Sequence, residues 1–158
     1  MTPPPDEKPV LNLPTYPFVL FGIPVLIGLG VHFIWDFSPL PDTLAFAVGA
    51  PLMVIGTMLG MWSVWTMVSQ GEHPEPGRGT HKIISNGPFR FSRNPSYLAL
   101  VATSTGFALI INSLTVLIGI PFGFAILATW VVPAEERYLA ALLKDDYAAY
   151  RSRVRRWL

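Results

Sequence analysis

Residues 95–132 read PSYLALVATSTGFALIINSLTVLIGIPFGFAILATWVV, without one charged side chain. Only Asn112-Ser113 interrupts the apolar run. The stretches on either side, Pro95 to Ile111 and Leu114 to Val132, have roughly the 17 to 25 residues that a helix needs to cross a hydrocarbon core of about 30 Å. The segment reads as a membrane-crossing helical hairpin with a two-residue turn at its tip. A hairpin returns to the side it left, so the polar residues flanking it meet at one membrane face. These are Gly87-Pro88-Phe89-Arg90-Phe91-Ser92-Arg93-Asn94-Pro95-Ser96-Tyr97 before it and Glu135-Glu136-Arg137 after it. Ionisable groups placed where a lipid-embedded helix enters and leaves the bilayer are costly, which makes them functional candidates.

Two more apolar stretches, Tyr16 to Trp35 and Leu44 to Val68, bring the expected spans to four. The chain has 158 residues, 51% hydrophobic and 13% charged, which is one domain's length and too apolar for an ordinary soluble protein. The fold class expected is an all-α polytopic membrane protein with four transmembrane helices and a C-terminal amphipathic cytoplasmic helix. Its single domain divides into a loose N-terminal tail (1–15), two transmembrane helices (16–68), a cytoplasmic loop (69–94), the hairpin (95–132) and the last helix (133–158). All eleven Lys and Arg residues lie at Lys8, between Arg78 and Arg93, or from Arg137 onward. The positive-inside rule then puts both termini and the long loop in the cytoplasm, and the connections at Phe37 to Thr43 and Asn112-Ser113 outside. The short outward connections and compact length fit a bacterial inner membrane.

Composition also sets exclusions. No cysteine is present, which removes disulfides, thiolate zinc sites and a cysteine nucleophile. His32, His73 and His81 have no metal-ligand spacing, so no metal site is expected. The net charge of +1 gives no reason to expect a nucleic-acid partner. The proline-rich, acidic start is the wrong composition for a cleaved signal peptide.

Within the spans, Pro24, Pro51 and Pro121 are expected to bend their helices, and Gly56 with Gly60 suits close helix contact. The loop from Ser69 to Asn94 is rich in glycine and proline and too long for a mere connection. Past Pro133, Glu135 and Glu136 fall in a helix's first turn, where its dipole favours negative charge. Leu139, Leu143, Tyr147, Tyr150, Val154 and Trp157 recur at steps of three and four, a stripe turned inward, with Arg137, Lys144, Arg151 and Arg155 on another face towards anionic headgroups.

As chemistry, the two clusters suit a zwitterion. Arg90, Arg93, Asn94 and Tyr97 offer partners for a carboxylate, Glu135 and Glu136 for an ammonium, and Phe89, Phe91 and Tyr97 faces for a flat ring or a cation. S-adenosylmethionine carries all of these groups. A plainer reading of the same residues also stands: Arg90 and Arg93 as positive-inside anchors, Tyr97 as an interfacial aromatic, and the glutamates as helix-start charges.

From Lys82 to Leu158 the chain resembles the isoprenylcysteine carboxyl methyltransferase and phospholipid methyltransferase group of integral membrane enzymes. The resemblance is carried by Gly87-Pro88-Phe89-Arg90, Arg93-Asn94-Pro95-Ser96-Tyr97-Leu98, Glu135-Glu136-Arg137-Tyr138-Leu139, Asp146-Tyr147, Tyr150 and Val154-Arg155-Arg156-Trp157-Leu158. The first two helices resemble the group in hydropathy only. The resemblance implies S-adenosylmethionine as methyl donor, held in a cytoplasmic pocket between the ends of spans three and four under the C-terminal helix. It puts Arg93, Asn94 and Tyr97 in the group's Arg-His-Pro-x-Tyr cofactor motif, Glu135 and Glu136 in its paired-glutamate motif, and Lys82, Gly87 and Arg90 in the approach segment. Arg93 and Glu136 are the residues expected to serve catalysis, and a lipophilic acceptor is expected sideways from the bilayer.

Two departures matter. Asn94 stands where the group most often has histidine, so it hydrogen-bonds but carries no charge. No arginine precedes the paired glutamates in Ala128-Thr129-Trp130-Val131-Val132, which weakens the case for a prenylcysteine carboxyl substrate. Two other functions fit the same features: an NADPH-dependent membrane reductase of the sterol-reductase type, and a non-catalytic membrane protein whose amphipathic tail recruits a partner. Oligomeric state is not legible in the sequence.

Overall fold

An apolar run in lipid leaves its backbone nothing to bond but itself, and each such run here forms a helix. The computed structural model describes residues 17–35, 37–72 and 82–158; the tail 1–15, and with it Lys8, lies outside the described residues, as do His73, Arg78 and His81. The described residues are helical, with no strand among them. The helices are α1 (Pro17–His32), α2 (Asp42–Ser69), α3 (Pro95–Ile110), α4 (Leu114–Ile126) and α5 (Val132–Arg153), with a 3₁₀ turn at Gly87–Arg90 before α3 and a π-helical turn at Leu127–Val131 joining α4 to α5.

Two of these helical rods are long and apolar enough to cross a membrane: α2 with 28 residues, and the continuous run from Leu114 to Arg153 with 40. At 1.5 Å per residue the second is about 60 Å long, twice a hydrocarbon core of about 30 Å. Its charged half, from Glu135 onward, therefore lies beyond the apolar half. Helices α1 and α3 are apolar but have 16 residues each, about 24 Å. They are shorter than the stretches read from hydropathy, because α1 stops at His32 and turns carry the chain on through Phe33 to Trp35.

Packing runs through two antiparallel pairs, α2 with α3 and α1 with α4, each closed on glycine. A Cβ on Gly106 would lie 2.4 Å from the Met53 nitrogen, and one on Gly56 would lie 2.5 Å from the Thr103 nitrogen. In the other pair, a Cβ on Gly119 would meet the Pro24 carbonyl at 2.5 Å and one on Gly123 the Phe21 carbonyl at 2.6 Å. Backbone-to-backbone contact of this kind is how helices associate where hydrophobic burial gives no advantage. Away from these seams the surface is apolar: Met61 and Trp65 of α2 are each 68% exposed, a face suited to lipid rather than water.

A polar knot ties one end of the bundle. Asn112, at φ 51, donates from its amide to the Leu40 carbonyl (2.6 Å) and to Asp42 Oδ1 (2.8 Å), and its amide oxygen accepts from the Leu40 nitrogen. Ser113 caps α4 by accepting from the Val116 nitrogen. The connections 37–41 and 112–113 thus share one end of the molecule, and the loop before α3 and helix α5 share the other.

The last helix departs from the expected 133–158. It ends at Arg153, is broken at Lys144 (φ 39, ψ −112), and leaves Val154 extended. Residues 154–158 form a strap that runs back towards α3.

Candidate active site

Three segments build the site: the chain entering α3, the start of α5, and the strap. The 3₁₀ turn is seated on α2 by Gly87, whose φ of +54 and position, where a Cβ would fall 2.7 Å from Thr66 Oγ1, both require glycine. Gln70 Nε2 donates to Asn86 Oδ1 beside it, and Tyr150 of α5 donates its hydroxyl to the Phe89 carbonyl (2.7 Å). Pro95 opens α3 at a position where a missing N–H costs nothing. This fixes Arg93, Asn94 and Tyr97 around the first turn.

Tyr97 is buried and donates its hydroxyl to Glu135 Oε1 at 2.6 Å. Its ring leans against Phe18 of α1, with centroids 6.4 Å apart. Glu136 is 8% exposed, and both of its oxygens are engaged. Oε1 meets Arg93 Nη1 at 3.0 Å and accepts from Arg156 Nε at 3.0 Å, while Oε2 accepts from Arg156 Nη2 at 2.6 Å. Arg93 Nη1 also donates to the Tyr147 hydroxyl (3.2 Å), and its Nε is buried with no partner among the described residues.

The two adjacent glutamates therefore differ in chemistry. Glu136 sits between two guanidiniums with both of its oxygens engaged. Glu135 faces a neutral phenol: loss of hydration on burial raises its carboxyl to about 7, the Tyr97 hydrogen bond works against that rise, and the neighbouring Glu136 charge adds to it. The Tyr147 hydroxyl is held above its ordinary range, first by burial and then by Glu136, so it remains a neutral partner for Arg93. Two guanidiniums thus close on Glu136, while Glu135, bonded to the Tyr97 hydroxyl, has a carboxyl poised to ionise near neutral pH.

Of the residues singled out in the sequence, Arg93, Tyr97, Glu135 and Glu136 come together in one cluster. Asn94 lies beside it but is turned elsewhere. Although it precedes α3, its side chain makes no capping bond; its amide donates to the Arg156 carbonyl (3.0 Å). Lys82 and Arg90 are exposed, Arg90 lying over the Phe91 ring at 4.4 Å, and Gly87 shapes the turn rather than the cluster. Lys82, Gly87 and Arg90 touch none of the four clustered side chains among the described contacts. Arg156 belongs to the resembled Val154-to-Leu158 pattern but was not among the expected site residues, because an arginine in a basic segment is already explained by orientation in the membrane. Tyr147 and Tyr150 were legible as part of an inward stripe and of the resembled pattern, but not as hydroxyls that reach Arg93 and the Phe89 carbonyl.

The donor set fits S-adenosylmethionine: Arg93 Nε is a buried spare donor for a carboxylate or hydroxyl, and Glu135 is a carboxyl that a nearby cation would drive to its charged form. No curated protein and no solved structure matches the chain. The phospholipid methyltransferase family matches it over residues 44–146, so the match takes in α2, which the motifs alone did not reach, and stops before the strap. Covering more than half of the sequence, that match makes this chain a member of the phospholipid methyltransferase family, a family of membrane methyltransferases.

Proposed function

We propose that the protein is an S-adenosylmethionine-dependent integral membrane methyltransferase acting on a lipophilic or small hydrophobic acceptor. The observation that carries this reading is the joining of the Arg93/Tyr97 segment to Glu135 and Glu136 by direct bonds at one end of the bundle, within a chain of this family. The reading includes four membrane crossings, α1 and α3 with their flanking turns completing the spans that α2 and α4 begin. It also includes a cytoplasmic site under α5, with both termini on that side, as the basic residues require.

When bound, S-adenosylmethionine supplies an electrophilic methyl group on a sulfonium. Arg93 would hold its carboxylate through the free guanidinium edge, and Glu135 would face its cationic part, with Tyr97 fixing the Glu135 carboxyl by the 2.6 Å bond. Glu136 orients Arg93 and, once Arg156 leaves it, offers the same cation a second carboxylate. Methyl displacement asks a protein chiefly to align donor and acceptor and to keep water away. The burial of Tyr97, Tyr147 and Tyr150 around the cluster serves the second need. The apolar faces of α1 and α2 offer the acceptor a route from the bilayer.

The test is transfer of labelled methyl from S-adenosylmethionine to membrane lipid extracts by the purified protein. At limiting S-adenosylmethionine, label entering an organic-soluble product is expected for the wild type and about tenfold less or lower still for Tyr97→Phe and Glu135→Gln. Equal transfer by all three proteins would refute the assignment of these residues.

A further inference from the structure

The strap, residues 154–158, lies beyond the matched part of the chain, and it closes on the site. Its backbone is held by the segment entering α3: the Arg93 nitrogen donates to the Arg155 carbonyl (2.9 Å), and Ser92 Oγ (3.2 Å) and Asn94 Nδ2 (3.0 Å) both donate to the Arg156 carbonyl. Trp157 packs on Phe124 with ring centroids 4.8 Å apart. The remaining contact differs in kind. Arg156 grips both oxygens of Glu136, its side chain 36% exposed against 10% for the glutamate. The anion belongs to the interior of the site, and the cation reaches it from outside.

Charge balance does not require this second guanidinium, because Arg93 already neutralises Glu136. Asn94, standing where the resembled group has histidine, supplies the neutral donor that holds the strap at Arg156. We infer that the strap is a latch: Arg156 is an internal competitor that occupies Glu136 in place of the cationic end of the ligand, and the site opens when residues 154–158 peel away from 92–94. This rests on the proposed reading, in which that cation is the ammonium or sulfonium of S-adenosylmethionine. Three hydrogen bonds to two carbonyls, one ring contact and one ion pair with a partly exposed guanidinium hold residues 154–158, few enough contacts for the segment to open at the low end of local stability.

Because the chain has no cysteine, spin labels on Leu158→Cys and Ser85→Cys report the strap directly. A single narrow distance is expected in detergent, broadening when S-adenosylhomocysteine is added and also, without any ligand, in the Arg156→Gln background. A latch open about one tenth of the time weakens apparent affinity about tenfold, so Arg156→Gln is expected to bind S-adenosylmethionine about that much more tightly, and Arg156→Lys to fall between. An unchanged distance in Arg156→Gln, or weaker binding by it, would overturn the latch. Strap release in Arg156→Gln with no binding of S-adenosylmethionine by either protein would instead overturn the cofactor assignment, and with it the identity of the displaced cation.

Discussion

Glu135 and Glu136 are neighbours in sequence and opposites in chemistry, and the difference is set by what each one touches. Glu136 is held between the guanidiniums of Arg93 and Arg156. Glu135 has its carboxyl raised to about 7 from an ordinary 4.5, chiefly by burial, so the folded protein holds that proton more tightly than the unfolded chain does. Its contribution to stability is complete below about pH 4.5 and is lost as pH rises through about 7. The ligand-free protein should melt at a lower temperature at pH 8 than at pH 5. Glu135→Gln, which stays neutral and still accepts from Tyr97, should remove most of that drop. Thermal unfolding in detergent at the two pH values measures both, and an equal drop in the variant would assign the dependence to other groups. The clustering of Arg93 and Tyr97 with the paired glutamates was legible because an apolar hairpin fixes which residues meet at its base. The partners of Asn94 and Arg156 were not, since a bond from a side chain to a carbonyl some sixty residues away leaves no periodic trace.

At the scale of the elements, the junction between α4 and α5 shows how a rule of sequence gives way. Pro133 lacks the N–H that continues a helix, and a new helix start was the natural expectation there. The chain widens instead into a π turn, with the Val132 N–H reaching the Leu127 carbonyl, and so passes Pro133 without breaking. One rod therefore carries the apolar half and the two glutamates together, which fixes Glu135 and Glu136 in height against Tyr97. Single π turns inserted in α-helices are frequent at functional sites. The seam between α2 and α3 is as demanding. Gly106→Ala would push a methyl into the Met53 and Gly49 backbones and should destabilise the protein by roughly 1–3 kcal/mol. Gly30→Ala, with nothing within 4 Å of its Cβ position, should be neutral or slightly stabilising. Unfolding of the two variants side by side checks this, and a Gly106→Ala protein as stable as Gly30→Ala would mean that the gain in helix propensity rather than the backbone contact decides. Gly56 and Gly60 were visible as a small-residue pair, but the role of Gly106 depends on its partner helix and is invisible in α3 alone.

At the scale of the whole molecule, charge distribution and connectivity describe the same object. The knot of Asn112 with Leu40 and Asp42 gathers the connections that lack Lys and Arg at one end, and the described basic residues lie in the segments at the other. With no native cysteine, a membrane-impermeant maleimide should label Thr43→Cys on intact cells and Ser85→Cys or Ser152→Cys only after permeabilisation; labelling of Ser85→Cys from outside would invert the proposed topology. Hydropathy revealed the helical class and the apolar runs. It overstated the length of α1, because apolar composition continues through Phe33 to Trp35, where the helix has given way to turns. The strap's return to the site was beyond reach of any local pattern, being held by contacts between the chain's end and its middle. Every role given to the Arg93, Tyr97, Glu135 and Glu136 cluster depends on the cofactor it binds. Calorimetric titration of the purified protein in detergent with S-adenosylmethionine and with NADPH tests it most directly: saturable binding of S-adenosylmethionine, weakened about tenfold or more by the loss of one buried hydrogen bond in Tyr97→Phe, with no binding of NADPH, is the expected result, and binding of NADPH in place of S-adenosylmethionine would contradict it.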